Sequence, residues 1–213
     1  MTTPVDRVRN RRGEGGRLRA EILRAGTELL DETGQEQSVT LRAVARRVGI
    51  AAPSIYGHFP DRESILLAVV QEAFGELTGA LRDGRAAAGG EPVARLRAVS
   101  AAYLDFAQVR PQRYRVMFGG VWDATDAVLA ATVTRAEVVA LGQDALTVLA
   151  EALRDCVDAG RSASTDPLGD AVALWVGLHG LAHQRAVVPN FPWPAGIAAQ
   201  LVERLALLDT APD

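Results

Sequence analysis

Apolar residues recur along this chain with the period of an α-helix, and no stretch alternates long enough to require a sheet. From Arg17 onward, Leu18, Ile22, Ala25, Leu29 and Leu30 fall on one stripe until Gly34, a helix terminator. Leu41, Val44, Ala45 and Val48 form a second stripe, with Arg42, Arg46 and Arg47 turned away from it. Thr40 stands as the N-cap of that helix, and Gly49 supplies the positive φ that a tight turn needs. Small Ala45 lies where two helices cross closely, and Ile55 plugs the gap between them. A short helix is therefore predicted over 52–58, with Pro53 in its first turn, where no N–H is required.

Further on, Asp61 caps a helix carried by Ile65, Leu66, Val69, Ala73, Phe74, Leu77 and Leu81, which is predicted to end near Asp83-Gly84. The alanine- and glycine-rich stretch up to Glu91 reads as a loop. Pro92 starts a helix through Val93, Leu96, Val99, Tyr103 and Phe106, and Pro111 starts a short one reaching Phe118. A long helical pattern from Thr125 to about Ala159 bends at Gly142. Asp166-Pro167 opens a helix to about Val187, and a last helix runs from Pro194 to about Leu208. The expected fold is all-α with about nine helices. It comprises a flexible basic arm (1–16), a helix-turn-helix domain (17–63), a connecting helix (64–82) and a larger helical domain (83–213), to which the family resemblance given below assigns ligand binding and dimerisation.

Charge sharpens this division. The 213 residues carry a net charge of −3, yet residues 1–60 hold ten arginines against seven carboxylates, while the remainder is acidic. Every basic residue is arginine. A basic end carrying two short helices about a glycine turn points to a nucleic-acid partner. The apolar runs fall short of the roughly 18 residues that a membrane span requires. The arginine-rich start lacks the hydrophobic segment of a secretory leader, so a cytoplasmic protein is expected. The single cysteine, Cys156, permits no intramolecular disulfide and reads as a packed thiol.

The segment Ser54-Ile55-Tyr56-Gly57-His58-Phe59-Pro60-Asp61-Arg62-Glu63 strongly resembles the end of the DNA-binding domain of the tetracycline repressor (TetR) family of bacterial regulators. Specific motifs carry the resemblance over residues 17–66; beyond that it rests on the helical layout and a few residues. It implies that Tyr56, His58 and Arg62 contact phosphate and that Thr40 holds backbone. The short recognition helix would present Ala51, Ala52 and Ser54 to the major groove, and Arg42 adds a guanine-reading fork. Gly57 departs from the family pattern, in which a larger side chain is common, and so removes one reader. The arginines of the arm, Arg7 to Arg12, are candidates to enter the minor groove; a tail without function is the competing reading.

In the larger domain, Tyr103, Phe106, Tyr114, Phe118, Trp122 and Trp175, with Met117, either fill a core or line a pocket. The family resemblance favours a pocket for a small, mainly apolar effector, with Gln143, His179 and Asp105 as polar candidates for orienting it. Trp175-Val-Gly-Leu-His179-Gly180 resembles a tryptophan-histidine-glycine signature of one branch of the family. Helices 167–187 and 194–208 are the expected homodimer interface, with Gly177 and Gly180 allowing close helix approach. His179 and His183 share a helical face but lack further metal ligands, so no metal or cofactor is expected. No nucleophile elbow, phosphate loop or dinucleotide fingerprint points to an enzyme. The expectation is a homodimeric, effector-released repressor of an inverted-repeat operator. Two rivals are a nonspecific DNA-compacting protein and a helical enzyme or binding module with a degenerate DNA motif.

Overall fold

The computed structural model describes residues 15–119 and 122–209. The expected arm falls outside the described residues up to position 14, whereas Gly15 and Gly16 form the first turn of a helix. Among the described residues there are ten α-helices, two 3-10 turns and no strand, only one isolated antiparallel bridge between Ser162 and Leu208. The helices are α1 (Gly15–Thr33), α2 (Leu41–Val48), α3 (Arg62–Ala87), α4 (Pro92–Val109), α5 (Pro111–Phe118), α6 (Ala124–Leu129), α7 (Arg135–Ala140), α8 (Gln143–Asp158), α9 (Pro167–Val187) and α10 (Ile197–Leu205). The all-α architecture is as the periodicity requires.

The chain divides into two compact units. The first holds the residues up to Glu72 together with Arg115–Val138; the second holds Ala73–Tyr114 and the residues from Val139 onward. In the first, Ile22, Ala25 and Leu30 of α1, Val44 and Ala45 of α2, Ile55, Phe59 and Ile65–Val70 of α3 are buried together as one core. Gly26 sets the approach of α1 to α3, since a Cβ there would stand 2.9 Å from Ile65 Cγ2. In the second, α4 packs on α8 and α9, α8 on α9, and α9 on α10. Leu96, Val99, Leu153, Leu174 and Leu178 lie at its centre. Cys156 is a packed thiol as expected, and burial pushes its pKa up to about 11.

Beyond the helix-turn-helix, three elements differ from the sequence reading. The helix expected over 64–82 continues to Ala87, because Gly84 serves close packing and not termination: a Cβ there would meet Ala102 Cβ at 3.1 Å and the Ala98 carbonyl oxygen at 3.2 Å. The pattern from Thr125 to Ala159 is broken twice. Ala131 turns out at φ 55°, Thr134 and Glu137 form a reciprocal capping box that starts α7, and Gly142 at φ 75° starts α8. The last helix begins only at Ile197, after Gly196 at φ 80°, and stops at Leu205, so that Leu207 and Asp209 bond residues 161–163 instead. By composition α3 is long and apolar enough to cross a membrane, but Ile65–Val70 are all buried in the core of the first unit, which accounts for their apolarity.

Candidate nucleic-acid interface and effector site

The turn between α2 and the following segment is built by caps at both ends. The Thr40 hydroxyl accepts from the Ala43 N–H at 3.1 Å, and Gly49 closes α2 at φ 75°, donating to the Ala45 and Arg46 carbonyls. The next element is a 3-10 turn over Ala52–Ile55, followed by turn residues 56–58, and not the α-helix expected over 52–58. Pro53 contributes no N–H and Gly57 lowers helical propensity, so the bonds that form are short-range, such as Ser54 N–H to the Ala51 carbonyl and His58 N–H to the Ile55 carbonyl. Ile55 is fully buried and Phe59 nearly so, with the Arg19 guanidinium 4.8 Å from the Phe59 ring centre. These two anchors fix the outer side chains between them.

On the outer surface Tyr56 is 59% exposed, Ala51 and Ser54 are exposed, and Ala52 and His58 are half-buried. Arg42 and Arg46 are exposed on α2. Arg47, read from sequence as part of the same cationic face, is instead committed to α1. It donates to both carboxylate oxygens of Glu32 at 2.7 Å and lies 3.5 Å from Glu28. That forked pair raises the Arg47 pKa and lowers that of Glu32. Arg62 is likewise engaged. It donates to the Val39 carbonyl at 3.2 Å and pairs with Glu63 at 2.8 Å and Glu36 at 3.3 Å. Asp61 caps α3 by accepting from the Ser64 N–H at 2.7 Å.

The expected effector residues are distributed unevenly. Tyr103, Phe106 and Tyr114 are buried in the second unit. There Tyr114 Oη and His179 Nδ1 share a hydrogen bond of 2.6 Å, and Tyr103 Oη lies 3.3 Å from both. Tyr114 stacks on His179, which also meets the Trp175 ring at 5.9 Å. Burial pushes both phenol pKa values up and lowers that of His179, so the cluster is held uncharged. Gln143 is exposed at the start of α8 and donates to the Val139 carbonyl, and Asp105 is exposed on α4. Met117 and Trp122 belong to the first unit, where the Trp122 indole N–H donates to Glu63 Oε2 at 2.6 Å. Position in the sequence could not separate these two from the others, because they follow Tyr114 closely along the chain. Arg115, which sequence reading passed over, donates to the Gly34 carbonyl at 2.5 Å and ties α5 to the end of α1.

Gly177 and Gly180, paired in the sequence reading, have different surroundings. A Cβ at Gly177 would stand 2.6 Å from Leu205 Cδ1, so this glycine admits α10 of the same chain, while nothing lies within 4 Å of Gly180. Among the described residues no cluster of metal-ligating side chains forms.

A capped helix-turn-helix, followed along the chain by a helical unit with a polar-aromatic cluster, defines a two-part helix-turn-helix protein. The family of bacterial regulatory proteins termed tetR matches residues 22–69, and the tetracyclin repressor-like C-terminal domain matches residues 96–207, so the chain belongs to the tetracycline repressor family. Over 91 residues it is 36% identical to the HTH-type transcriptional regulator BetI of Burkholderia thailandensis, a stretch covering 43% of this chain and 46% of that protein. The chain thus spans about half the length of the curated relatives it matches. Its backbone is similar to that of a protein of unknown function from Rhodococcus sp. RHA1, with a TM-score of 0.71 and 22% identity over 96% of this chain and 95% of the other. It is also similar to the fatty acid degradation regulator FadR from Bacillus halodurans, with a TM-score of 0.68 and 14% identity over 92% and 97%. These two likenesses concern the fold.

Proposed function

We propose that this protein is a cytoplasmic, homodimeric transcriptional repressor that holds an inverted-repeat DNA operator and releases it when a small, mainly apolar effector binds. The observation that supports this reading best is the outer edge of the helix-turn-helix. Tyr56 and Ser54 are exposed immediately beside the buried anchors Ile55 and Phe59, and Arg42 and Arg46 are exposed on the preceding helix. Rigidly held polar and cationic side chains at the start of a short recognition element suit a DNA backbone and groove. In this reading Tyr56, His58 and Thr40 meet phosphate or backbone, while Ala51, Ala52, Ser54 and Arg42 face base edges. Arg62 acts through its ties to Val39, Glu36 and Glu63, holding the motif in register.

The second copy would pack on α9 and α10. Leu168, Val172 and Val176 recur every fourth residue along α9 and are 54%, 37% and 56% exposed, followed by open Gly180. Such a self-complementary apolar stripe is what a twofold helical interface uses, and a closed dimer sets two recognition elements about 34 Å apart, one turn of DNA. The effector would bind in the second unit near Tyr103, Tyr114, Trp175 and His179. Selecting bound duplexes from a random library with the purified protein tests the whole reading. Recovery of an inverted repeat is expected; uniform binding would instead indicate DNA compaction, and absence of DNA binding would overturn the regulator reading.

A further inference from the structure

One turn beyond the polar-aromatic cluster, along both α4 and α9, lies an open groove of about 580 Å³. Leu104, Ala107 and Gln108 of α4 form one wall, Ala182, Arg185 and Ala186 of α9 the other, and Pro111, Pro189 and Trp193 complete it. Its size falls in the usual range for small-molecule sites. Three polar side chains, Gln108, Arg185 and Trp193, interrupt the apolar walls. Arg185 is half-buried and, among the described residues, has no ion-pair partner. Trp193 packs against Phe191 with ring centres 4.6 Å apart, and its indole nitrogen is buried with no hydrogen-bond partner. The hydroxyls of Tyr103 and Tyr114, by contrast, already bond one another and His179.

A half-buried guanidinium and an unpaired indole N–H are both donors, and both lack an acceptor. An apolar trough whose one charged lining group is a guanidinium, with no carboxylate in its walls, is complementary to an amphipathic organic anion, and a cationic or purely hydrocarbon ligand would leave that cation unmet. We infer that this groove is a binding site for a small organic carboxylate with an apolar body. The carboxylate pairs with Arg185, and the body lies along Leu104, Ala107, Ala182 and Ala186. Assigning the occupant as the effector rests on the regulator reading above; the existence of the site does not.

Calorimetric titration of the full-length protein, without DNA, tests the site with three probes of equal chain length: decanoate, 1-decanol and decyltrimethylammonium. Decanoate is expected to bind most tightly and the ammonium probe most weakly. Arg185→Gln should weaken decanoate by about tenfold or more while changing decanol by no more than about twofold, as loss of a charge-assisted bond requires. Ala186→Trp, at an exposed wall position that tolerates bulk without disturbing the core, should abolish binding of all three. Circular dichroism of both variants controls for folding. Equal affinity for the three head groups, unchanged decanoate binding in Arg185→Gln, or no decanoate binding to the parent protein would each overturn the proposal. Because no operator enters this experiment, its failure is separate from failure of the DNA selection.

Discussion

Tyr114 and His179, 65 residues apart, are joined by a 2.6 Å hydrogen bond between the phenol oxygen and Nδ1, inside a cluster that burial keeps uncharged. A neutral, half-buried imidazole has a direct consequence for stability against pH. The folded-state pKa of His179 lies below its ordinary value of 6.5, so above that pH folded and unfolded chains are both neutral at this site and nothing is lost. As pH falls from 6.5 through the lowered folded value, the unfolded chain takes up the proton first and stability declines. Thermal melts between pH 7.5 and 5 should therefore show a steeper loss for the parent than for His179→Gln. Parallel curves would contradict the assignment.

Removing the phenol from the same bond gives a second expectation. Tyr114→Phe keeps the ring stack but leaves the histidine nitrogen with the longer 3.3 Å contact to Tyr103 Oη, and loss of the shorter bond costs about 0.5–1.5 kcal/mol. Urea unfolding measures it. A loss within about 0.3 kcal/mol would mean that solvent replaces the hydroxyl.

In the first unit, Glu63 holds Arg62 through one carboxylate oxygen and the Trp122 indole N–H through the other. Charged acceptors make the stronger hydrogen bonds, about 1.5–3 kcal/mol. A double-mutant cycle of Trp122→Phe and Glu63→Ala should show positive coupling, because each change removes the same bond. Strict additivity would show that the pair contributes nothing.

Phosphate and base contacts are separable by their response to salt and sequence. Tyr56→Phe should weaken binding to every duplex without altering the salt slope, since no charge is removed. Arg46→Ala should lower that slope by about 0.9 if it neutralises one phosphate. Arg42→Ala should flatten preference at one base position by about 1–3 kcal/mol. Fluorescence anisotropy with matched and scrambled duplexes distinguishes these patterns, and an unchanged profile in all three variants would remove the helix-turn-helix from the interface.

The exposed stripe on α9 predicts the oligomeric state. Val176→Asp should leave the fold intact, because the side chain already faces outward, yet shift the protein to a monomer in sedimentation velocity. A parent protein that is monomeric at micromolar concentration would exclude this interface.

Much of the molecule is local and was legible in the chain. The Thr40 and Asp166 caps, the Gly49 turn, the proline starts of α4, α5 and α9, and the burial of Ile55 and Cys156 follow from propensities acting over one or two helical turns. The Tyr56-Gly57-His58-Phe59 segment identified the family because its residues are contiguous. Whatever depended on partners distant in sequence was decided only by packing. Gly84 looked like a stop until Ala98 and Ala102 were placed beside it, and Arg47 looked free until α1 brought Glu32 and Glu28 within reach. Met117 and Trp122 follow Tyr114 closely along the chain yet belong to the other unit. Hydrophobic periodicity tells which side of a helix is buried but not what covers it, and the covering element is set by the tertiary fold.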